Sequence, residues 1–211
     1  MKIALTYNLK KEVKEAEGLP EDFYAECDDT ETVEAVRDAL AERHGEVHMI
    51  EADEDAFEKL RKLKPELVFN MAEGVWGESR ESHLPAMMEM LRIPYTGSAP
   101  LTLALCLNKA RAKEILAHYG IPTARFFLAH DSEAEAWKYL NFPMMVKPAL
   151  EGSSKGIRND SIVNDPEGLK KKVRSVVDEY RQGALVEEYL SGREFTVAMI
   201  GNGASLKVLP I

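Results

Sequence analysis

Six short stretches of the chain hold residues whose types and spacing suit chemistry. Glu151-Gly152-Ser153-Ser154-Lys155-Gly156 is a glycine- and serine-rich run between two apolar segments. Glycines let backbone N–H groups approach an anion closely, and serines add hydroxyl donors, an arrangement that suits a triphosphate. It is not a Walker motif, since no GxxxxGK followed by Ser or Thr opens a helix here. On composition alone a flexible hairpin loop is the better reading. Lys147 closes the apolar run MMVKP just before this loop. Its ammonium is placed to meet phosphate oxygens, or is a solvated strand-end lysine. Lys109, Arg111 and Lys113 crowd the first turn of a predicted helix, where the dipole disfavours positive charge and a bound anion would relieve it. Taken alone they read better as a solvated basic face. Glu187 and Glu188 end the run ALVEE and, as strand neighbours, point to opposite faces. One of them could accept from an adenine amino group or a ribose hydroxyl; the alternative is two surface acids. Glu194, opening the next predicted strand, carries the same two readings. Glu73, Trp76, Glu78 and His83 surround a further loop, with no spacing that specifies a metal.

The apolar pattern supplies the elements that would position these groups. KIALTY (2–7), EVHMI (46–50) and ELVFN (66–70) read as strands. Between them, 29–45 and 52–64 read as helices. The first has Asp29 or Thr30 as cap, Val33, Val36 and Leu40 as its stripe and Gly45 as its stop; the second has Ala56, Phe57, Leu60 and Leu63 inward. Residues 8–28 read as a loop with room for a helical turn. This βαβαβ order predicts an open parallel sheet with helices on both faces. Ligands gather at the carboxyl ends of such strands, which singles out the loop at 70–80.

Helices follow at 80–91, near 99–106, and at 108–120, the last stopped by Gly120 with Pro122 beyond. Strands at 125–129 and 143–148 flank a helix at 132–140. A strand near 157–163, a helix at 166–180 and a strand at 184–190 complete a second unit. Pro166 opens that helix, and Leu169, Val173, Val176 and Tyr180 face inward. Residues 194–200 and 204–211, joined by the turn Gly201-Asn202-Gly203, read as a hairpin. A lone hairpin is marginal in water, so the sequence reads as unfinished as a domain. The expected organisation is α/β: residues 1–106 as a parallel-sheet domain, 107–190 as a smaller α+β lid with a mixed sheet, and 191–211 as the beginning of a third domain.

Composition narrows the partners. The 211 residues are 45% hydrophobic and 30% charged, with a net charge of −9, and no basic tract is present to hold a nucleic-acid backbone. No apolar run approaches the roughly 18–20 residues of a membrane span. The amino terminus meets charged residues too early for a signal peptide. Cys27 and Cys106 are far apart without metal-type spacing, and read as reduced thiols of a cytoplasmic protein.

The order of the motifs carries more than any one of them. VFN-MAEG-VWGE, LRIPYTGSAPLTLALCLNKARAK, GIPTARF, FPMMVKPALEGSSKGI and ALVEEYLSGREFTVAMIG resemble, at matching spacing, the D-alanine–D-alanine ligase family of ATP-grasp enzymes over roughly residues 66–211. The resemblance implies a Rossmann-like pre-ATP-grasp domain followed by an ATP-grasp lid. It implies ATP as cosubstrate, an acyl-phosphate formed from one carboxylate, and attack by an amine to join two amino acids, with a place in peptidoglycan synthesis. It implies Lys109 and Lys147 as phosphate-binding lysines, and Gly152 to Gly156 as the loop over the phosphates, with Ser154 touching them. Ser153 would organise the acceptor side as the catalytic serine. Glu187 would meet the adenine amino group, the backbone of Glu188 and Leu190 would frame the adenine edge, and Glu194 would hold the ribose. Mg²⁺ ligands are expected past residue 211, so none is named here, and this chain alone is expected to turn over little or not at all. The loop is expected to be mobile without nucleotide. A homodimer is left open.

Two departures concern the substrate. The family's glycine-rich amino-terminal loop is replaced by TYNLKKEVKEAEG, where Glu12 or Glu15 could substitute for the acid that meets an ammonium. Its His-Gly pair after the third strand is replaced by Glu73-Gly74. A different amino-acid or dipeptide substrate, or a non-catalytic nucleotide-binding module, are the alternatives.

Overall fold

The computed structural model describes residues 1–10, 18–133 and 135–211. Glu12 and Glu15 lie outside the described residues. Three strands, Ile3–Tyr7 (β1), Val47–Glu51 (β2) and Leu67–Asn70 (β3), form a parallel sheet in the order β2-β1-β3, with Ile3 opposite both Val47 and Leu67. β1 is central, and its residues from Ile3 to Thr6 are buried, as a strand covered on both faces requires. Ala4, Ile50 and Val68 join Ala56 and Leu60 of helix α2 (Ala56–Leu63) and Leu84 and Met88 of helix α3 (Arg80–Leu91) in one core. Each of the larger side chains contributes about 1.5–3 kcal/mol by leaving water. Helix α1 (Thr30–His44) packs on β1 and β2. Asp29 caps it, accepting from Thr32 N at 2.7 Å. Of its expected stripe only Val33 is buried; Val36 and Leu40 stay half-buried. α2 starts four residues later than the pattern suggests, because the Asp53 carboxylate accepts from Asp55 N at 3.0 Å and fixes a turn first.

Helices α4 (Pro100–Leu107) and α5 (Lys109–His118) lead into the second unit, with Asn108 capping α5 through Arg111 N at 3.1 Å. Strands β4 (Phe126–Ala129), β5 (Met144–Pro148), β6 (Ile162–Val163) and β7 (Ala184–Glu188) form a sheet in the order β4-β7-β5-β6. Every pairing is antiparallel, not mixed as the sequence suggested. Helix α6 (Pro166–Tyr180) carries the chain from β6 to β7 past β5, so β5 lies between two strands that both oppose it.

The helix expected at 132–140 is a 3-10 turn, Ala136–Tyr139. Asp131 takes Glu133 N at 2.9 Å in a local turn that competes with helix, and Pro143 follows closely. The strand expected near 157–163 shrinks to β6, because a 3-10 turn at Asn159–Ser161 is closed by Arg158 N on Ser161 Oγ at 2.8 Å. The final hairpin pairs only Met199–Ile200 (β8) with Lys207–Val208 (β9), and residues 191–211 are exposed throughout.

The antiparallel sheet separates two jobs by alternation. Ala129, Met144, Val146, Ala184 and Val186 face α6 and pack on Leu169, Val173, Val176 and Tyr180. On the opposite face Leu185 packs with Ala110 of α5 and Ala149, beside the half-buried Phe126 and Leu128.

Candidate functional site

The α5 face of the sheet opens into a cleft of about 510 Å³ lined by Lys109, Lys113, Lys147, Glu187, Glu188, Leu190 and Glu194, among others. Register puts Met145 opposite Glu187 and Lys147 opposite Leu185, so Lys147 and Glu187 share this face. Their side chains meet, Lys147 Nζ to Glu187 Oε1 at 2.6 Å. α5 brings Lys109 and Lys113 to the same side at i and i+4. Lys113 Nζ reaches Glu187 Oε2 at 2.8 Å and Thr123 Oγ1 at 2.6 Å. Burial alone would raise the Glu187 carboxyl, but hydrogen bonds from Lys113 and Lys147 hold it below its ordinary value. Lys109 donates from Nζ to the Glu151 carbonyl. Burial, reinforced by the charge of Lys147, lowers its pKa to about 8.

The basic first turn of α5 is thus divided. Lys109 and Lys113 enter the cleft, whereas Arg111 pairs with Glu114 at 2.6 Å and lines a separate cleft of about 820 Å³ beside Trp76, His130 and Gln182. Glu188 turns its side chain the other way, to Arg125 and to Asn141 N at 2.8 Å, and only its main chain is left to frame the cleft. Leu190 is 68% exposed at the rim, and Glu194 stands exposed beside it.

The loop Glu151–Gly156 follows β5 directly. Gly156 has φ +73°, and a Cβ there would lie 2.4 Å from Pro148 Cγ, so glycine is required. Ser153 and Ser154 form the exposed tip, both with left-handed backbone at φ 44° and 63°. Both ends of the loop make polar contacts. Lys155 is 6% exposed and pairs with Glu151 at 2.5 Å. Gly156 N donates to Asp22 Oδ2 at 2.8 Å, and Leu150 N donates to Gln182 Oε1 at 2.6 Å.

Several of these groups were invisible to sequence reasoning. Arg80, 6% exposed, donates to the Leu150 carbonyl (2.8 Å), Glu26 (2.7 Å) and Glu151 (3.2 Å). Asp22 and Glu26 come from a stretch with little periodicity. Their only signal was that an otherwise polar loop is rich in acids. Glu73, placed beside Gly74 at the end of β3, is raised to about 7 by burial and then by Glu81 and Glu26. Among the described residues no three His, Cys, Asp or Glu side chains gather as a metal site, and no magnesium ligand is assigned. No helix among them is long and apolar enough to cross a membrane.

A parallel-sheet unit is followed by an antiparallel sheet with a lysine-lined cleft and a glycine-serine loop, an α/β architecture. The structure is similar to a crystal structure of D-alanine–D-alanine ligase from Bacillus anthracis, with TM-score 0.67 and 20% identity, over 99% of this chain and 68% of that one. A structure of the same ligase complexed with ATP matches with TM-score 0.66 and 22% identity, over 91% of this chain and 60% of that one. Residues 115–211 match the family model of the D-ala D-ala ligase C-terminus. The D-alanine–D-alanine ligase of Cereibacter sphaeroides is 38% identical over 164 residues, 78% of this chain and 51% of that protein. A Sinorhizobium fredii protein, y4sG, is 39% identical over 181 residues, 82% of this chain and 52% of that protein. The chain spans about half the length of these curated relatives. In sequence and in fold it is D-alanine–D-alanine ligase-like.

Proposed function

We propose that this chain binds ATP in the cleft between α5 and the antiparallel sheet, as part of an ATP-dependent ligase that joins a carboxylate to an amine. The observation that carries this reading is the convergence of Lys109, Lys147, Glu187, Glu188, Leu190 and Glu194 on one cleft. Lys109 and Lys147 take the phosphates, where two ammonium groups offset the charge of a polyphosphate. Their mutual repulsion, which helps to lower the Lys109 pKa, is relieved by that charge. Glu187 accepts from the adenine amino group, the main chain of Glu188 and Leu190 frames the base, and Glu194 meets the ribose. Gly152, Ser154 and Gly156 close over the phosphates, and Ser153 serves the acceptor side. Residues 1–106, 107–190 and 191–211 are then the pre-ATP-grasp domain, the lid and the start of the third ATP-grasp domain.

In the reaction one substrate carboxylate attacks the γ-phosphorus, ADP leaves, and an amine displaces phosphate from the mixed anhydride. The residues named here position the nucleotide and stabilise charge. Amino acids or dipeptides are the substrate class, and the cytoplasm the setting. Glu73 favours a substrate other than that of the family's His-Gly members, because a carboxyl raised to about 7 is chemically distinct from an imidazole in charge and in proton affinity.

The test is ATP titration, followed by ADP release across D- and L-amino acids and small dipeptides. Saturable ATP binding that Lys109→Ala and Lys147→Ala each weaken is expected. Binding indifferent to both lysines would remove the cleft from consideration.

A further inference from the structure

We propose that Arg80 is a positioning residue for the 151–156 loop, holding it closed from the parallel-sheet side together with Glu26 and Asp22. The inference rests on the reading that this loop covers the ATP phosphates. Arg80 opens α3, where the helix dipole disfavours a cation, and it is buried there. A buried guanidinium is tolerated only with full partners. It finds them in Glu26 of the 18–28 segment and in the Leu150 carbonyl and Glu151 carboxylate at the loop's start. Lys155, with a side chain 4% exposed, bridges the same two acids at 3.5 and 2.5 Å. Two cations and two carboxylates therefore join the loop to the other unit.

The far end of the loop is tied to the same segment. Asp22 accepts from Gly156 N, and from the Tyr180 hydroxyl at 2.8 Å. Packing between the two ties is close: a Cβ on Gly152 would lie 2.3 Å from Glu26 Oε1. The contacts thus concentrate on the beginning and end of one loop and leave Ser153 and Ser154 free at its tip. Removing Arg80 leaves Glu26 and Glu151 facing each other with Lys155 alone between them, so charge repulsion acts to open the loop at its first residue.

The test compares amide hydrogen exchange of residues 151–156, without nucleotide, in the full chain and in its Arg80→Met, Arg80→Lys and Asp22→Ala variants, with ATP affinity measured alongside. Arg80→Met is expected to speed loop exchange by roughly tenfold or more, the factor that about 1.4 kcal/mol of lost closure produces, and to weaken ATP in parallel. Arg80→Lys keeps the charge and is expected to recover part of both. Asp22→Ala, at a half-buried turn, is expected to free the loop's far end and to fold with a lowered melting temperature, since Gly156 N and the Tyr180 hydroxyl lose their acceptor. It therefore decides the matter if Arg80→Met fails to fold. Unchanged loop exchange in Asp22→Ala, and in Arg80→Met where it folds, overturns the proposal. Faster exchange with unchanged ATP affinity would instead keep the latch and remove the loop from the nucleotide site, which separates this failure from that of the functional reading.

Discussion

Lys109 offers a quantitative test of the proposed nucleotide cleft through pH. Its ammonium is buried and stands near Lys147, which brings its pKa from an ordinary 10.5 to about 8. The lowered value means that the unfolded chain binds more protons than the folded one between those limits. The penalty on the fold is therefore full below about pH 8 and fades as pH rises through that window. Bound phosphates reverse the preference by favouring the charged form. If they restore the ordinary value, the protonated fraction required for binding is about nine-tenths at pH 7 but about one-tenth at pH 9. ATP affinity should then weaken by roughly tenfold between those two conditions, from this residue alone. Calorimetric titration of the chain across that range reads the effect, and the terminal phosphate's own titration near neutral pH is common to the parent and its control. Lys109→Arg is the control, because a guanidinium stays charged throughout. A flat profile in the unaltered chain, or an equal slope in Lys109→Arg, would refute the assignment of Lys109 to the phosphates.

Lys147→Ala should raise the ATP dissociation constant by roughly 10- to 100-fold, the worth of a charge-assisted hydrogen bond, while Lys113 keeps Glu187 paired; a titration within twofold of the parent would exclude it. Gly156→Ala should cost about 2–4 kcal/mol, combining a left-handed alanine with overlap on Pro148 and Tyr180, and thermal melting should show a clear drop. Glu73 has a raised pKa, so the folded state binds the extra proton and stability falls as pH rises from about 4.5 to about 7. Glu73→Gln should remove that slope and stabilise the neutral-pH fold by about 1–2 kcal/mol after solvent screening, read from denaturant midpoints at acid and neutral pH.

What was legible in the sequence was local. Helix α6 could be read from Pro166 to Tyr180 because its first-turn proline and its apolar spacing agree, and all four expected inward residues are buried. The cleft residues could be named because the motif order supplied them. Their pairings could not: Glu187 is bridged by Lys147 from a strand 40 residues away and by Lys113 from a helix, and no local pattern encodes that meeting. The short 3-10 turns were missed for a related reason. Asp131 and Ser161 satisfy nearby backbone N–H groups themselves, which overrides an apolar period too weak to resist. Arg80 was hidden most completely, since a cation at the start of a helix looks misplaced until Glu26 and Glu151 arrive from two other segments.

The same sheet explains why fold and site are hard to alter independently. Along β5 and β7, Met144, Val146, Ala184 and Val186 are fully buried against α6, while Lys147 and Glu187, one residue out of step, face the cleft. A strand has a side-chain period of two, so a slip of one residue in β5 would move Lys147 into the α6 core and Val146 into the cleft. Burying an unpaired ammonium there costs several kcal/mol, more than the slipped pairing could return. The charge proposed to meet a polyphosphate in the cleft therefore also fixes the register of the strand that carries it. Substitutions that neutralise Lys147 should loosen register as well as binding, whereas Lys113, on α5, can be neutralised without that second effect.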